Sequence, residues 1–344
     1  VAVVRAWHRP DARRSTGDGG LSIGVAMALF HKESGANRGL AALGFAPDGV
    51  GIARVTRVRD APPVLDACEF VRVPGAGGWG DALAKLSRRH RLGRRDCSIV
   101  IEEGAYSLLL VEAPDVPPEE LRAAVRWRVR DMIDFHIDDA VIDVFDLPGQ
   151  KAGGRARMMY VVAARVPRVG EKAELARAAG LRLQVIDIPE LAQRNVAACL
   201  PEDVAGVALL YLSARSGLIT LTRQRTLYLA RRIDVGLGEV ITEGASAADR
   251  KVREWLDTLV VEVQRSLDYY ERSFAQPPVA NLVIAPLAHM VDGIAGYLGE
   301  QLGIAVRLLD LNEIIDSKVP IEVELQAHCF PVIGAALRSE ERSL

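Results

Sequence analysis

The sequence predicts an α/β protein of two mixed-sheet halves with a small α+β subdomain inserted in the first, and three observations carry that reading. A strand–turn–strand–turn–strand meander occurs twice, at 43–73 and at 205–236. Each meander is followed by alternating helix and strand patterns, which is how mixed sheets covered by helices read in sequence. Between them, residues 113–165 interrupt the alternation with a helix followed by two strands that flank a Gly/Lys-rich loop.

The second meander is the clearer one. Residues 207–212 are a run of β-formers, 214–217 a turn, 218–222 a second strand, and 225–235 a third after another polar break. In the first meander, residues 43–46 lead through Pro47-Asp48-Gly49 into 50–58, and 69–73 form the third strand. A helix follows at 81–92, with Leu83 and Leu86 inward and its end near Gly93. Its Arg88-Arg89-His90-Arg91 and Arg94-Arg95 cluster is the most basic stretch of the chain. No aromatics are interleaved and no nucleic-acid motif is present, so it reads as a solvated helix end where cations meet the negative pole of the dipole.

Strands are expected at 98–101 and 106–112, then a helix at 119–134 after the break at 114–118. Leu121, Val125, Val129, Met132 and Ile133 fall on one face of that helix, and Arg122, Arg126 and Arg130 lie off it. Strands at 141–147 and 158–165 flank a Gly/Lys-rich loop at 148–157. A helix at 171–179 ends at Gly180, a strand covers 181–188, and Pro189 opens a helix to 199. The longest helix, 251–274, carries Trp255, Leu259, Val263, Leu267, Tyr270 and Phe274 as its buried stripe, and Pro277-Pro278 stops it. A strand at 281–285, a helix at 288–302, a strand at 305–309 and a mostly helical 321–337, kinked or split by Pro331, complete the chain.

Composition narrows the function classes. The 344 residues carry 43 Lys+Arg against 45 Asp+Glu, a net charge of −2, so nothing draws the whole chain to nucleic acid or anionic lipid. The four cysteines, Cys68, Cys97, Cys199 and Cys329, have no metal or redox spacing and read as buried thiols in a reducing compartment. The six histidines lack ligand spacing, and no Walker loop or G-x-S-x-G elbow occurs. The longest apolar runs, 204–212 and 21–30, are about half of the roughly 20 residues a membrane span needs. Residues 1–39 have little periodicity and are expected to be disordered. Arg13-Arg14 before 21–30 imitates an export signal, but Asp18, Ser22 and Gly24 spoil it, and Met27 opens a more ordinary start than Val1.

Several short motifs go further. They are Pro118-Glu119-Glu120-Leu121 through Val125-Arg126-Trp127 to Asp134-Phe135, then Val141-Ile142-Asp143, Ala163-Ala164-Arg165, Ala179-Gly180-Leu181 and Ile186-Asp187. The run Glu262-Val263-Gln264-Arg265-Ser266-Leu267-Asp268-Tyr269-Tyr270, with Leu302-Gly303-Ile304 and Ile333-Gly334-Ala335-Ala336-Leu337, completes the set. Together with the paired meanders, from about 40 to 338, they resemble the actin-like ATPases of ribonuclease H-like fold. Within these, the sequence is similar to the PilM branch of type IV pilus assembly proteins, above all its divergent mannose-sensitive haemagglutinin (MSHA) members. The resemblance implies an actin-like domain I at 40–204 containing the insertion at about 113–165, and a domain II at 205–332. It implies that 333–344 return to domain I.

It also implies where a nucleotide would sit. Such a site needs backbone amides of two glycine-containing hairpin turns on the phosphates, a strand-ending Asp in each half near the metal, and a Gly-rich turn against the nucleoside. Here Ala46 stands at the first Asp position and Ala53 at the phosphate-side Lys, Tyr211 at the second Asp and Ser213 at the first Gly, while Ala285-Pro286-Leu287 replaces the Gly-rich turn. The expectation is a non-catalytic descendant without a cofactor. The alternative keeps ATP and magnesium on Asp48, Gly49 and Gly51 of the first hairpin and Ser213 and Ser216 of the second; Pro47-Asp48-Gly49 reads equally as an ordinary β-turn.

Family members dock the N-terminal cytoplasmic tail of a PilN-like inner-membrane protein in a groove beside the insertion. The resemblance therefore implies a cytoplasmic scaffold at the inner-membrane face, alongside other pilus platform proteins and without nucleic acid. Arg122, Arg126, Trp127 and Arg130 are the candidate contacts, Trp127 reading equally as a packing residue.

Overall fold

The computed structural model describes residues 41–57, 61–93, 95–117, 119–147, 157–238, 242, 244–274 and 276–339. The extension expected to be disordered, Arg94, and most of the loop at 148–157 lie outside them.

The first half opens with β1 (Ala41–Ala46), β2 (Gly49–Thr56) and β3 (Val64–Arg72), an antiparallel meander whose first turn has only Pro47 and Asp48 between the paired Ala46 and Gly49. Helix α1 (Trp79–Arg89) brings the chain back so that β4 (Asp96–Val100) lies parallel to β1. The insertion then builds β5 (Tyr106–Glu112), α2 (Leu121–Val129), β6 (Ala140–Asp146) and β7 (Met158–Arg165) into its own antiparallel sheet, ordered β5-β7-β6. Helix α3 (Val166–Ala178) leads back to β8 (Arg182–Asp187), parallel to β4, and α4 (Pro189–Ala197) leaves the sheet.

The second half repeats the plan. The meander β9 (Val207–Leu212), β10 (Gly217–Arg223) and β11 (Thr226–Ile233) is followed by α5 (Arg250–Ser273), β12 (Asn281–Ile284), α6 (Ile294–Leu302) and β13 (Ala305–Leu308). The chain ends with β14 (Asp316–Ser317) and α7 (Val323–Ala336). The large sheets are ordered β14-β3-β2-β1-β4-β8 and β11-β10-β9-β12-β13.

The last helix of each half serves the other half. Gln193 of α4 donates Nε2 to Leu209 O (2.6 Å), Leu218 O (3.2 Å) and Thr220 Oγ1 (3.0 Å), fixing α4 on the second sheet. Helix α7 covers the first, where Val332 and Cys329 sit over Gly44 and Gly51. Its end is held by Arg338, whose Nη1 lies 3.2 Å from Asp187 Oδ2, both side chains buried, and by Arg57 on Leu337 O. The two helices cross at Gly334, against the backbone of Ala192.

Several boundaries move, each for a physical reason. The insertion starts at Tyr106 rather than 113, because β5 pairs along its whole length with β7. The return to the first sheet comes at Asp316 rather than 333: β14 pairs with β3, and all of α7 follows it. The helix expected at 119–134 is regular only over Leu121–Val129. Helix α3 begins at Val166 with Pro167 in its first turn, where the missing N–H costs nothing. Gly293, at φ 76°, delays α6 to Ile294. Helix α7 runs through Pro331, since Phe330, Val332 and Ile333 are all buried and tertiary packing outweighs the local break.

Helix α5 matches its expected stripe closely. Leu259, Val263, Leu267 and Tyr270 are buried with Val252 and Leu256, while Trp255 is half-buried and donates Nε1 to Gly236 O at 2.8 Å. Leu267→Ala is expected to cost about 2–5 kcal/mol, the usual penalty for a buried leucine cavity. A denaturant-unfolding change under about 1 kcal/mol would put the wrong face of α5 inward.

Candidate functional site

Two regions attract attention on chemical grounds, the hairpin turns facing the junction of the halves and the outer surface of the insertion. In the first hairpin the carbonyls of Pro47 and Asp48 accept from Gly75 N (3.2 Å) and Val73 N (2.9 Å), so β3's exit covers the turn. A Cβ on Gly49 would lie 2.5 Å from Val71 O, and one on Gly51 would touch Val332 and Cys329 at 3.4 and 3.5 Å. Close packing therefore accounts for Gly49, whereas a Cβ at Gly51 would make only ordinary contacts. Asp48 lies 3.7 Å from His328 Nε2, at a shallow depression of about 380 Å³ lined also by Pro47, Arg72, Val73 and Pro74.

The second hairpin is closed by its own serines. Ser213 Oγ accepts from Arg215 N (3.3 Å) and Ser216 N (3.1 Å) and donates to Ser216 O (2.9 Å). Ser216 Oγ donates to Glu103 at 2.7 Å. The amides that would face a phosphate are thus turned onto a hydroxyl. Gly236 backs this turn, where a Cβ would meet Arg215 backbone at 2.4 Å. At the third element, Ala285 N bonds Leu210 O at 2.8 Å and Leu287 is buried in the second-half core.

Between the hairpins stands Tyr211, stacked on Phe330 of α7 with ring centroids 5.2 Å apart and planes 12° from parallel. Burial, with the nearby Asp48 carboxylate adding, pushes its phenol up to about 12. It is neutral at physiological pH and offers no anionic oxygen to a hard cation. No cluster of three or more metal-ligating side chains occurs among the described residues.

On the insertion, α2 buries Val125 and Val129 against Val111, Val144, Met159 and Val161. Arg122 pairs with the buried Asp143 at 3.2 Å. Arg126, expected off the apolar face and free, instead bridges the segment before β6: it donates to Ala140 O (3.3 Å) and Ile137 O and meets Asp138 at 3.1 Å. These two arginines hold the subdomain together. Trp127 is 73% exposed, and the Arg130 guanidinium lies 5.8 Å from its ring centroid. Met132, expected inward, is 50% exposed because the regular helix has ended before it. Trp127, Arg130 and Met132 thus form an outward patch, and the segment after them is tied down by Arg165, which pairs with Asp134 at 2.8 Å and covers the Phe135 ring.

Sequence reasoning missed the polar network joining insertion, first half and second half. Buried Glu190, in the first turn of α4, accepts from Tyr106 OH (2.5 Å) and from Arg232 Nε and Nη2 (3.2 and 3.0 Å). Arg232 also reaches Glu103 at 3.2 Å and lies over the Tyr106 ring. Nearby, fully buried Lys172 places Nζ 3.1 Å from Glu102 and 4.1 Å from the Trp79 ring centroid. A lone Glu after Pro189 signals only a favourable helix start, so the three-way meeting had no local signature.

No protein-family model and no curated protein matches this sequence. Among solved structures, a chain of a PilM-PilN type IV pilus biogenesis complex aligns with a TM-score of 0.67 and 22% identity, over 87% of this chain and 96% of that one. The cytoplasmic domain of EpsL, an inner membrane component of the type II secretion system of Vibrio cholerae, gives 0.46 and 12%, over 85% and 93%. MreB5 of Spiroplasma citri bound to ADP gives 0.40 and 10%, over 87% and 95%. The repeated meanders, the exchanged terminal helices and the inserted sheet, together with the first of these likenesses, give the chain the actin-like ATPase fold in the form shared with the PilM-PilN complex.

Proposed function

We propose that this protein is a non-catalytic scaffold of a type IV pilus assembly platform at the cytoplasmic face of the inner membrane, docking the N-terminal tail of a PilN-like membrane protein. By the motifs quoted above, we take MshI of MSHA pili as its functional counterpart. The observation that carries this reading is the exposed Trp127, flanked by Arg130 and Met132, on a subdomain braced by Arg122 and Arg126. Trp and Arg are the residues most enriched among energetic anchors of interfaces. No helix among the described residues is long and apolar enough to cross a membrane, which fits attachment through a partner.

The residues present do not fit a magnesium nucleotide. Tyr211 replaces the anionic ligand and stacks on Phe330 between the hairpins, Ser213 occupies the amides of its own turn, and Pro286 has no N–H to give. The test is a calorimetric titration with a synthetic peptide of the PilN-like cytoplasmic N-terminus. Trp127→Ala should weaken binding about thirtyfold, the equivalent of about 2 kcal/mol, at unchanged melting temperature. Asp48→Ala should leave binding unaltered with or without Mg-ATP. Saturable Mg-ATP binding lost on Asp48→Ala, with peptide affinity indifferent to Trp127, would make the hairpin cleft the working site.

A further inference from the structure

The basic end of α1 brings together several cationic side chains that lack a carboxylate partner. Lys85, Arg88, Arg91 and Arg95 are exposed, and among the described residues no carboxylate lies within ion-pair distance of any of them. Their neighbours Arg89 and His90 share Glu69, and Arg182 is paired with Asp96 at 2.9 Å. Most other guanidiniums meet a carboxylate; Arg57, Arg223, Arg225 and Arg253 instead donate to carbonyl or hydroxyl oxygens, so the four cations gathered at this corner are a local excess on a protein of net charge −2.

The backbone there is fixed in a way that favours glycine yet carries arginine. Helix α1 ends in a full Schellman turn, with Leu92 N on Ser87 O (2.9 Å) and Arg91 N on Arg88 O (3.2 Å). The residue after the cap takes the left-handed conformation: Arg91 has φ 52°, and Gly93, two residues later, is not used for it. A side chain at positive φ is strained, and glycine would relieve it. The corner is also rigid: Leu92 is fully buried, Ser87 Oγ donates to Ala179 O at 3.0 Å, and Arg182 N bonds Arg95 O at 2.9 Å. Among the described residues, none of the exposed large hydrophobic side chains belongs to α1 or the turn after it, so this corner lacks the apolar centre of a protein-protein interface.

We propose that this corner contacts the headgroups of an anionic phospholipid bilayer. The choice of a bilayer rests on the docking reading above, since a protein held by the tail of a membrane partner lies beside that surface. The partner's tail and the lipid contact then act together, the first raising the effective concentration of the second. Lysines and arginines spread over a flat, water-facing corner match a diffuse layer of phosphates and need no pocket.

The test is co-sedimentation of the full chain with vesicles, comparing phosphatidylglycerol-phosphatidylethanolamine with pure phosphatidylcholine at low and high salt. Binding is expected to the anionic vesicles only, to fall with salt as screening shortens the reach of the charges, and to drop about a hundredfold in the R88E/R91E/R95E variant. Arg91→Gly separates function from packing: it should weaken vesicle binding about fivefold while its melting temperature stays at or above that of the parent. Absence of binding to anionic vesicles, binding indifferent to both variants, or equal displacement by duplex DNA would overturn the proposal. PilN-type peptide binding by the triple variant is expected to be unchanged; failure of vesicle binding with peptide binding intact removes the lipid contact alone.

Discussion

Gly334→Ala should be among the most damaging single substitutions in this protein, costing about 3 kcal/mol in denaturant unfolding. In an ordinary helix interior the change is favourable by roughly 1 kcal/mol, because glycine loses more backbone entropy than alanine. Here the added Cβ would sit 2.3 Å from Ala192 O and 2.7 Å from Ala192 C, backbone atoms that no rotamer change can move. Relief requires α4 and α7 to separate, which strains Asn195 Nδ2 on Gly334 O (3.0 Å) and the Gln193 bonds that seat α4 on the second sheet. Gly44→Ala is the comparison: its Cβ would meet Val332 Cγ2 at 2.5 Å, a side-chain atom that can rotate away, so the expected loss is only about 1 kcal/mol. Equal or greater stability for Gly334→Ala would mean that the two helices do not cross at this distance.

Much of this architecture is legible in the sequence because period and punctuation agree locally. The second meander follows from β-formers broken by polar turns, and α5 from a stripe that the structure buries at Leu259, Val263, Leu267 and Tyr270. What escapes is set by distant neighbours. Nothing around Asp316 announces that two residues will pair with β3, and Pro331 reads as a break until the burial of its neighbours is known. The same limit applies to the candidate site. Trp127 stands out as a residue type, but its exposure depends on where α2 begins and ends. Arg126 looks free from helical phase alone, since its acceptors, the carbonyls of Ile137 and Ala140, arrive from a segment whose path periodicity does not encode. The loss of charge at Ala46 and Tyr211 is visible in the sequence, whereas the Tyr211-Phe330 stack, which joins residues more than a hundred positions apart, is not.

Arg232→Met is expected to cost about 3 kcal/mol and to loosen the junction of the halves. Removing the guanidinium leaves the Glu190 carboxylate, 2% exposed, with only Tyr106 OH as a donor, and a buried charge stripped of its partner is destabilising by about 3–5 kcal/mol. The lower end applies because the Arg232 side chain is 31% exposed, so solvent already screens part of the pairing and water can enter to replace it. Glu103→Ala removes the outer, 55% exposed partner and should cost under about 1 kcal/mol. The contrast identifies Glu190 as the centre of the network. Because Tyr106 belongs to the insertion, Glu190 to α4 and Arg232 to β11, Arg232→Met should also raise protease sensitivity in all three regions together, read by mass spectrometry of limited digests. Cleavage confined to β11 would show that the network does not couple them, and a stability loss under about 1 kcal/mol would show that Glu190 is held well enough by Tyr106 alone.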